Sequence, residues 1–207
     1  MEINQPAAGS SKYPRRNNVL RLLAKRKGAL DERLVAPLAE IISDPMSIEN
    51  TNSFASLLAK MDAEPFIAPL IDMISRAVPG ESSWLADYMY ALIKLLMNRG
   101  DYFPVHESFV HLLGGWLLST GGGEISWKAG DILEQVQNQA TREYLIRGMS
   151  DESLFSRTRI ACMRGVVNQY REVAEHALSA VANDPDHKVR DAAAGALNYL
   201  KRGQTKA

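Results

Sequence analysis

The sequence predicts an all-α protein built from stacked helical hairpins, and three observations lead there. From Val189 onward, Val189, Ala192, Ala193, Ala196, Leu197 and Leu200 recur at spacings of three and four, the period of a helix with one apolar face. The segments 34–43 (LVAPLAEIIS) and 66–75 (FIAPLIDMIS) share Ala, Pro, Leu, Ile and Ser at a common offset, which reads as an internal duplication. No stretch alternates apolar and polar residues as a half-buried strand would.

The C-terminal hairpin is the clearest unit. Asp184-Pro185-Asp186 is a turn followed by a helix start near Pro185, because proline fits the first helical turn and a carboxylate there faces free amides and the positive dipole end. The small residues of the stripe that follows let a second helix approach closely. That partner is the run 173–182, VAEHALSAVA, which has the same periodicity and ends at the turn. One such hairpin cannot bury its own apolar face, so further hairpins are required beside it.

Segment 183–197 closely resembles a HEAT repeat, whose signature has an Asp in the turn, a Val-Arg pair inside the second helix, then small residues and a Leu. Asp184, Val189, Arg190, Ala192, Ala193 and Leu197 match it. The resemblance implies an α-solenoid, a right-handed superhelix of HEAT-like hairpins, with Asp184 and Arg190 as a structural pair tying the helix back to its turn. Pro37 and Pro69 fall where the first HEAT helix commonly carries a kinking proline. On these anchors the chain parses into about five hairpins, at 33–60, 65–98, 105–138, 139–167 and 169–201, with a further helix over 14–27. Residues 1–12 are expected to be a flexible N-terminus, 13–202 a single domain and 203–207 a flexible tail. The period is shorter than the roughly 40–47 residues of ordinary HEAT units. The third unit departs most, with Gly114-Gly115 inside its first helix and Gly121-Gly122-Gly123 at its turn.

Composition fits one soluble, cytoplasmic chain. The 46% hydrophobic content can build a core, no window reaches the roughly 18 apolar residues of a membrane span, and the polar start 1–18 lacks a signal-peptide core. The single cysteine, Cys162, excludes an internal disulfide and reads as a small core residue among Ile160, Ala161, Val166 and Val167. Nothing points to enzyme chemistry. His106 and His111 stand five apart, wrong for two metal ligands on one helix face, and His176 and His187 read as solvent-facing. The triple glycine is not followed by Lys-Ser/Thr and fails as a phosphate loop. The chain is therefore expected to be no enzyme, with no catalytic residue, metal or cofactor.

Charge is uneven although the total is zero. Residues 1–33 carry 8 Lys/Arg against 3 Asp/Glu, residues 34–155 carry 7 against 16, and residues 156–207 carry 9 against 5. An acidic centre repels a phosphate backbone and attracts a basic protein surface, although solubility alone would also explain it. The basic cluster Lys12 to Lys27 has no interleaved aromatic platform for nucleic acid and reads as a capping helix.

In folds of this kind the second helix of each hairpin lines the concave surface, which nominates its outward residues as partner contacts. Asp87, Tyr90 and Lys94 form one stripe, away from Leu85, Met89, Leu92 and Leu96. Trp127, Asp131, Glu134 and Asn138 form another, away from Ala129, Ile132, Leu133 and Val136. Trp127 also has a plain alternative in packing on the next hairpin, while Trp84 and Trp116 read as core. Arg157 and Arg164 then change the sign of the surface, so the groove is expected to be acidic in the middle and basic towards the C-terminus, which would fit a dipolar partner. The expected function is a non-enzymatic protein-interaction module that binds a basic partner through its concave face, a bacterial immunity or inhibitor protein neutralising a toxin being the sharper version. A HEAT-like DNA-binding protein or alkylpurine DNA glycosylase is the second class, opposed by the acidic centre, and a bilin lyase-type helper is the third. A monomer without membrane attachment is expected, since the basic N-terminal helix and the polar tail 201–207 would cap the two ends.

Overall fold

The computed structural model describes residues 32–45, 48, 51–59, 64–119 and 123–204. The helix expected over 14–27 and the flexible segment 1–12 lie outside them. The described chain is all-α apart from one two-residue parallel bridge. After a 3-10 turn (Glu32–Leu34) come α1 (Val35–Ile42), α2 (Thr51–Leu58), α3 (Glu64–Ser75) and α4 (Leu85–Arg99). Strand β1 (Phe103–Pro104) then leads into α5 (Glu107–Leu117) and α6 (Gly123–Leu133), and β2 (Val136–Gln137) into α7 (Gln139–Ser150) and α8 (Ser156–Gln169). The chain ends with α9 (Arg171–Ala180) and α10 (His187–Gln204). Two helices fall within or close to each of the five expected hairpin ranges. Helix α10 begins two residues after Pro185 and runs two residues into the expected tail.

Local chemistry explains where these helices stop and start. Gly100, with φ +79, closes α4 in the left-handed conformation that glycine adopts without a Cβ penalty. The Asn138 carboxamide accepts from Ala140 N at 3.0 Å and caps α7, and the Asp186 carboxylate accepts from Lys188 N at 2.8 Å to open α10. The two duplicated prolines meet different fates. Pro37 sits in the first turn of α1, where its missing N–H costs nothing, whereas Pro69 is inside α3.

The described residues form two compact units, one ending at Asp101 and the other beginning at Tyr102. In the first, α1 packs on α3, and α2 and α3 both pack on α4. Its core closes around fully buried Tyr88, whose ring lies 5.0 Å from Trp84 and whose hydroxyl donates to the Ile42 carbonyl at 3.2 Å. In the second, α5 packs on α6 and α7, and α8 touches α6, α7, α9 and α10. Helix α8 is the hub of this unit. Its inner face buries Ala161, Cys162 and Val166 completely or nearly so, and it approaches closely because Gly130 and Gly148 leave room for the Cys162 sulphur. A Cβ on Gly148 would stand 2.7 Å from that sulphur. Burial holds the thiol far above its ordinary pKa, so Cys162 is an inert core residue.

Candidate functional site

The site follows from two second-of-pair helices. Helices α6 and α8 lie side by side, and their outward residues enclose a depression of about 220 Å³. Trp127 and Asp131, one turn apart on α6, form one wall, and Arg157, Ile160 and Arg164 on α8 the other. Lys188, from the first turn of α10, stands at the edge. The Arg157 guanidinium lies 3.6 Å above the Trp127 ring centroid, a stacked cation–π contact on a half-buried indole.

Beneath this stack the charges are paired internally. Arg164 Nη2 donates to Asp131 and Arg164 Nε to Glu134 at 3.3 Å, while Asn168 Nδ2 donates to the other Glu134 oxygen at 2.7 Å. The Asp131 and Glu134 side chains are only 16% and 10% exposed, whereas Arg164 is 54% exposed, so the two acids are roofed by the arginine. Burial outweighs Arg164 and holds both carboxyls above their usual range. Asp131 and Glu134 therefore present no open acidic stripe to a basic partner. The exposed charges here are cationic. Among the described residues neither Arg157 nor Lys188 is held in an ion pair.

The remaining sequence-nominated residues divide differently. Helix α6 stops at Leu133, and Asn138 is in extended backbone (φ −163, ψ 143), so it does not continue the helical stripe. The chain turns there because Gln135 N bonds the Ile132 carbonyl and residues 136–137 pair with 103–104. Asn138 instead caps α7 and donates to the Val105 carbonyl at 3.3 Å. Asp87, in the first unit, accepts from Thr51 and, at 3.4 Å, from Asn52, which ties α4 to the start of α2. Tyr90 and Lys94 remain a surface pair, with the ammonium 5.7 Å from the ring centroid.

The expected Asp184–Arg190 pair takes another form. Arg190 does reach its turn, but donates to the backbone carbonyls of Asp184 at 2.6 Å and Pro185 at 2.9 Å. The Asp184 carboxylate is gripped instead by both terminal nitrogens of Arg159, whose Nε donates to the Met149 carbonyl at 3.0 Å. Arg159 and Asp184 are 2% and 3% exposed. This clamp ties α8 to the end of α7 and to the turn before α10. Sequence reasoning missed Arg159, yet a signal existed: Thr158-Arg159-Ile160-Ala161 stands in the register of Val189-Arg190-Asp191-Ala192.

Among the described residues no three or more His, Cys, Asp or Glu side chains converge as metal ligands, and no helix is long and apolar enough to cross a membrane. His111 bonds Tyr144 Oη at 2.9 Å and Glu107 at 3.2 Å on the exposed face of α5. Compared with known proteins, the chain matches no family model, no curated protein and no solved structure.

Proposed function

We propose that the protein is a non-catalytic recognition module of HEAT-like hairpins that binds a protein partner on the face built by α6, α8 and α10. What carries this reading is the Trp127–Arg157 stack over the 220 Å³ depression. Trp and Arg are among the side chains that dominate binding energies at interfaces, and this pair is held in place by its own stacking. The solenoid form of the module draws support from the alternation of neighbours: first helices pack on first helices (α1 on α3, α5 on α7) and second on second (α2 on α4, α6 on α8, α8 on α10). The toxin-neutralising version draws no support from this face, where Asp131 and Glu134 are engaged by Arg164, so the module is proposed in its general form.

The test is affinity capture with the tagged full chain at moderate salt, comparing wild type with Trp127→Ala. A stoichiometric protein retained by the first and lost with the second supports the module; a partner indifferent to Trp127 moves the interface elsewhere.

One observation favours a second reading, a DNA-base enzyme of the HEAT-like glycosylase kind. Trp127, Asp131 and Arg164, the residue types gathered in such grooves, line one depression here. A backbone-clamping protein would bind plain duplex DNA at low salt with a steep salt slope, and base excision would vanish in Asp131→Asn. Salt-insensitive or absent duplex binding removes this reading.

A further inference from the structure

A second depression, about 320 Å³, opens on the opposite side of Arg164, between α8 and α10. Its floor is apolar and shallow, made by Ile160 and Val167 from α8 and by Ala192, Gly195 and Ala196 from α10. Tyr199, 62% exposed, stands as its outer wall. Ile160 and Arg164 border both depressions, so the two run into each other along α8. From Arg157 to Asn168 the helix rises about 16 Å, enough for roughly three turns of a docked helix or five residues of an extended segment.

Two properties say what would lie there. The combined groove is polarised: Arg157 and Lys188 stand at one end beside Trp127 and Asp131, Arg164 lies between the two depressions, and the other end is mostly aliphatic, with Asn168 and Tyr199 as its polar groups. The second property is Gly195. Glycine inside a helix costs about 1 kcal/mol relative to alanine, and packing explains it at Gly130, Gly148 and Gly165, where an added Cβ would press on Leu117, Cys162 or Leu145. At Gly195, as at Gly115 on α5, such a Cβ would meet nothing within 4 Å among the described residues. Among the described residues nothing packs on the helix surface at Gly195, which leaves it open to a segment lying across α10.

We propose that this groove docks a partner segment carrying two or three apolar side chains followed by carboxylates. The apolar part lies over Ala192, Gly195 and Ala196 against Tyr199, and the carboxylates meet Arg157 and Lys188. This rests on the recognition-module reading and reverses the basic partner expected from overall charge, since complementarity is decided by exposed groups rather than by totals.

The experiment is selection of a random-peptide display library on the full-length protein, followed by anisotropy titration of the enriched peptides. Three proteins are compared: wild type, Gly195→Leu, and Arg157→Glu with Lys188→Glu. These positions are exposed, so the variants are expected to keep the wild-type melting temperature or, for Gly195→Leu, to exceed it. Enriched peptides should join apolar residues to at least two acids, and each variant should weaken them by about tenfold or more, as loss of a central contact does. A basic consensus, peptides indifferent to both variants, or no enrichment would overturn the proposal. If a Trp127-dependent protein is still captured in that event, the module stands and only the acidic segment falls; if capture yields nothing but DNA, the module falls with it. Concentration-dependent sedimentation that Gly195→Leu abolishes would make the occupant a second copy of this chain, and would likewise overturn the proposal.

Discussion

At the scale of single residues, the Arg159–Asp184 clamp is the most consequential contact in the second unit. Two charges removed from water are stable only as a pair, so taking away one partner costs far more than the pair contributes. Asp184→Asn is expected to lower stability by about 3–5 kcal/mol in chemical denaturation, with Arg159 left uncompensated. The hydrogen bonds from Arg159 hold the Asp184 carboxyl below its usual range. Its contribution is therefore complete above the unfolded-state pKa and is lost as pH falls through the lower folded-state pKa, and the variant should lack that part of the acid-induced loss. Asp131 and Glu134 act with the opposite sign. Burial raises both, so the native state binds protons more readily than the unfolded chain, and their ionisation weakens the fold as pH rises through the window between the two pKa values. Asp131→Asn should flatten stability against pH in that window, measured by melting temperature across mildly acidic buffers. An unchanged profile would mean that Arg164 compensates the carboxylate fully.

At the scale of helices, the glycines differ in what surrounds them. Gly148→Ala would drive a Cβ into Leu117 and the Cys162 sulphur, and is expected to destabilise by about 1–3 kcal/mol through overpacking. Gly195→Ala meets open space and is expected to stabilise by about 0.5–1 kcal/mol from helix propensity alone. Thermal unfolding of the two variants side by side checks both, and loss of stability in Gly195→Ala would show that α10 needs the glycine for its own fold. Helices were the legible part of this chain. The three-and-four spacing and the two proline-bearing repeats located the paired helices because periodicity is a local property of a helix face. Their ends were less legible. Helix α6 stops at Leu133 since the chain leaves it to pair with residues 103–104, a partner about 30 residues away that no local window contains.

At the scale of the whole molecule, the boundary after Asp101 makes a direct prediction. The second unit buries its own core, with Cys162 at the centre, so a fragment covering 102–207 is expected to be helical and to shield its thiol from an aromatic disulphide reagent until denatured. Circular dichroism and thiol titration read the outcome, and immediate labelling of Cys162 would show that the unit does not hold together alone. The candidate site belongs wholly to this unit, since Trp127, Asp131, Arg157, Arg164 and Lys188 all come from α6, α8 and α10. Four of the five were nominated from the sequence as outward residues of second helices. Lys188 was not, because its place at the rim depends on how α10 packs against α8.

The sequence by itself determined the all-α class of fold and the approximate bounds of the helices, because each follows from spacing within one or two helices. Only the tertiary structure decided what those residues are to one another. Glu134 and Asp131 read as an acidic face until Arg164, some 30 residues later, is folded over them. Asp184 read as the partner of its neighbour Arg190, while the packing of α8 brings it Arg159. Charge along a chain is additive and legible, but whether a charge is free depends on distances of a few ångströms, and those exist only once the helices have packed.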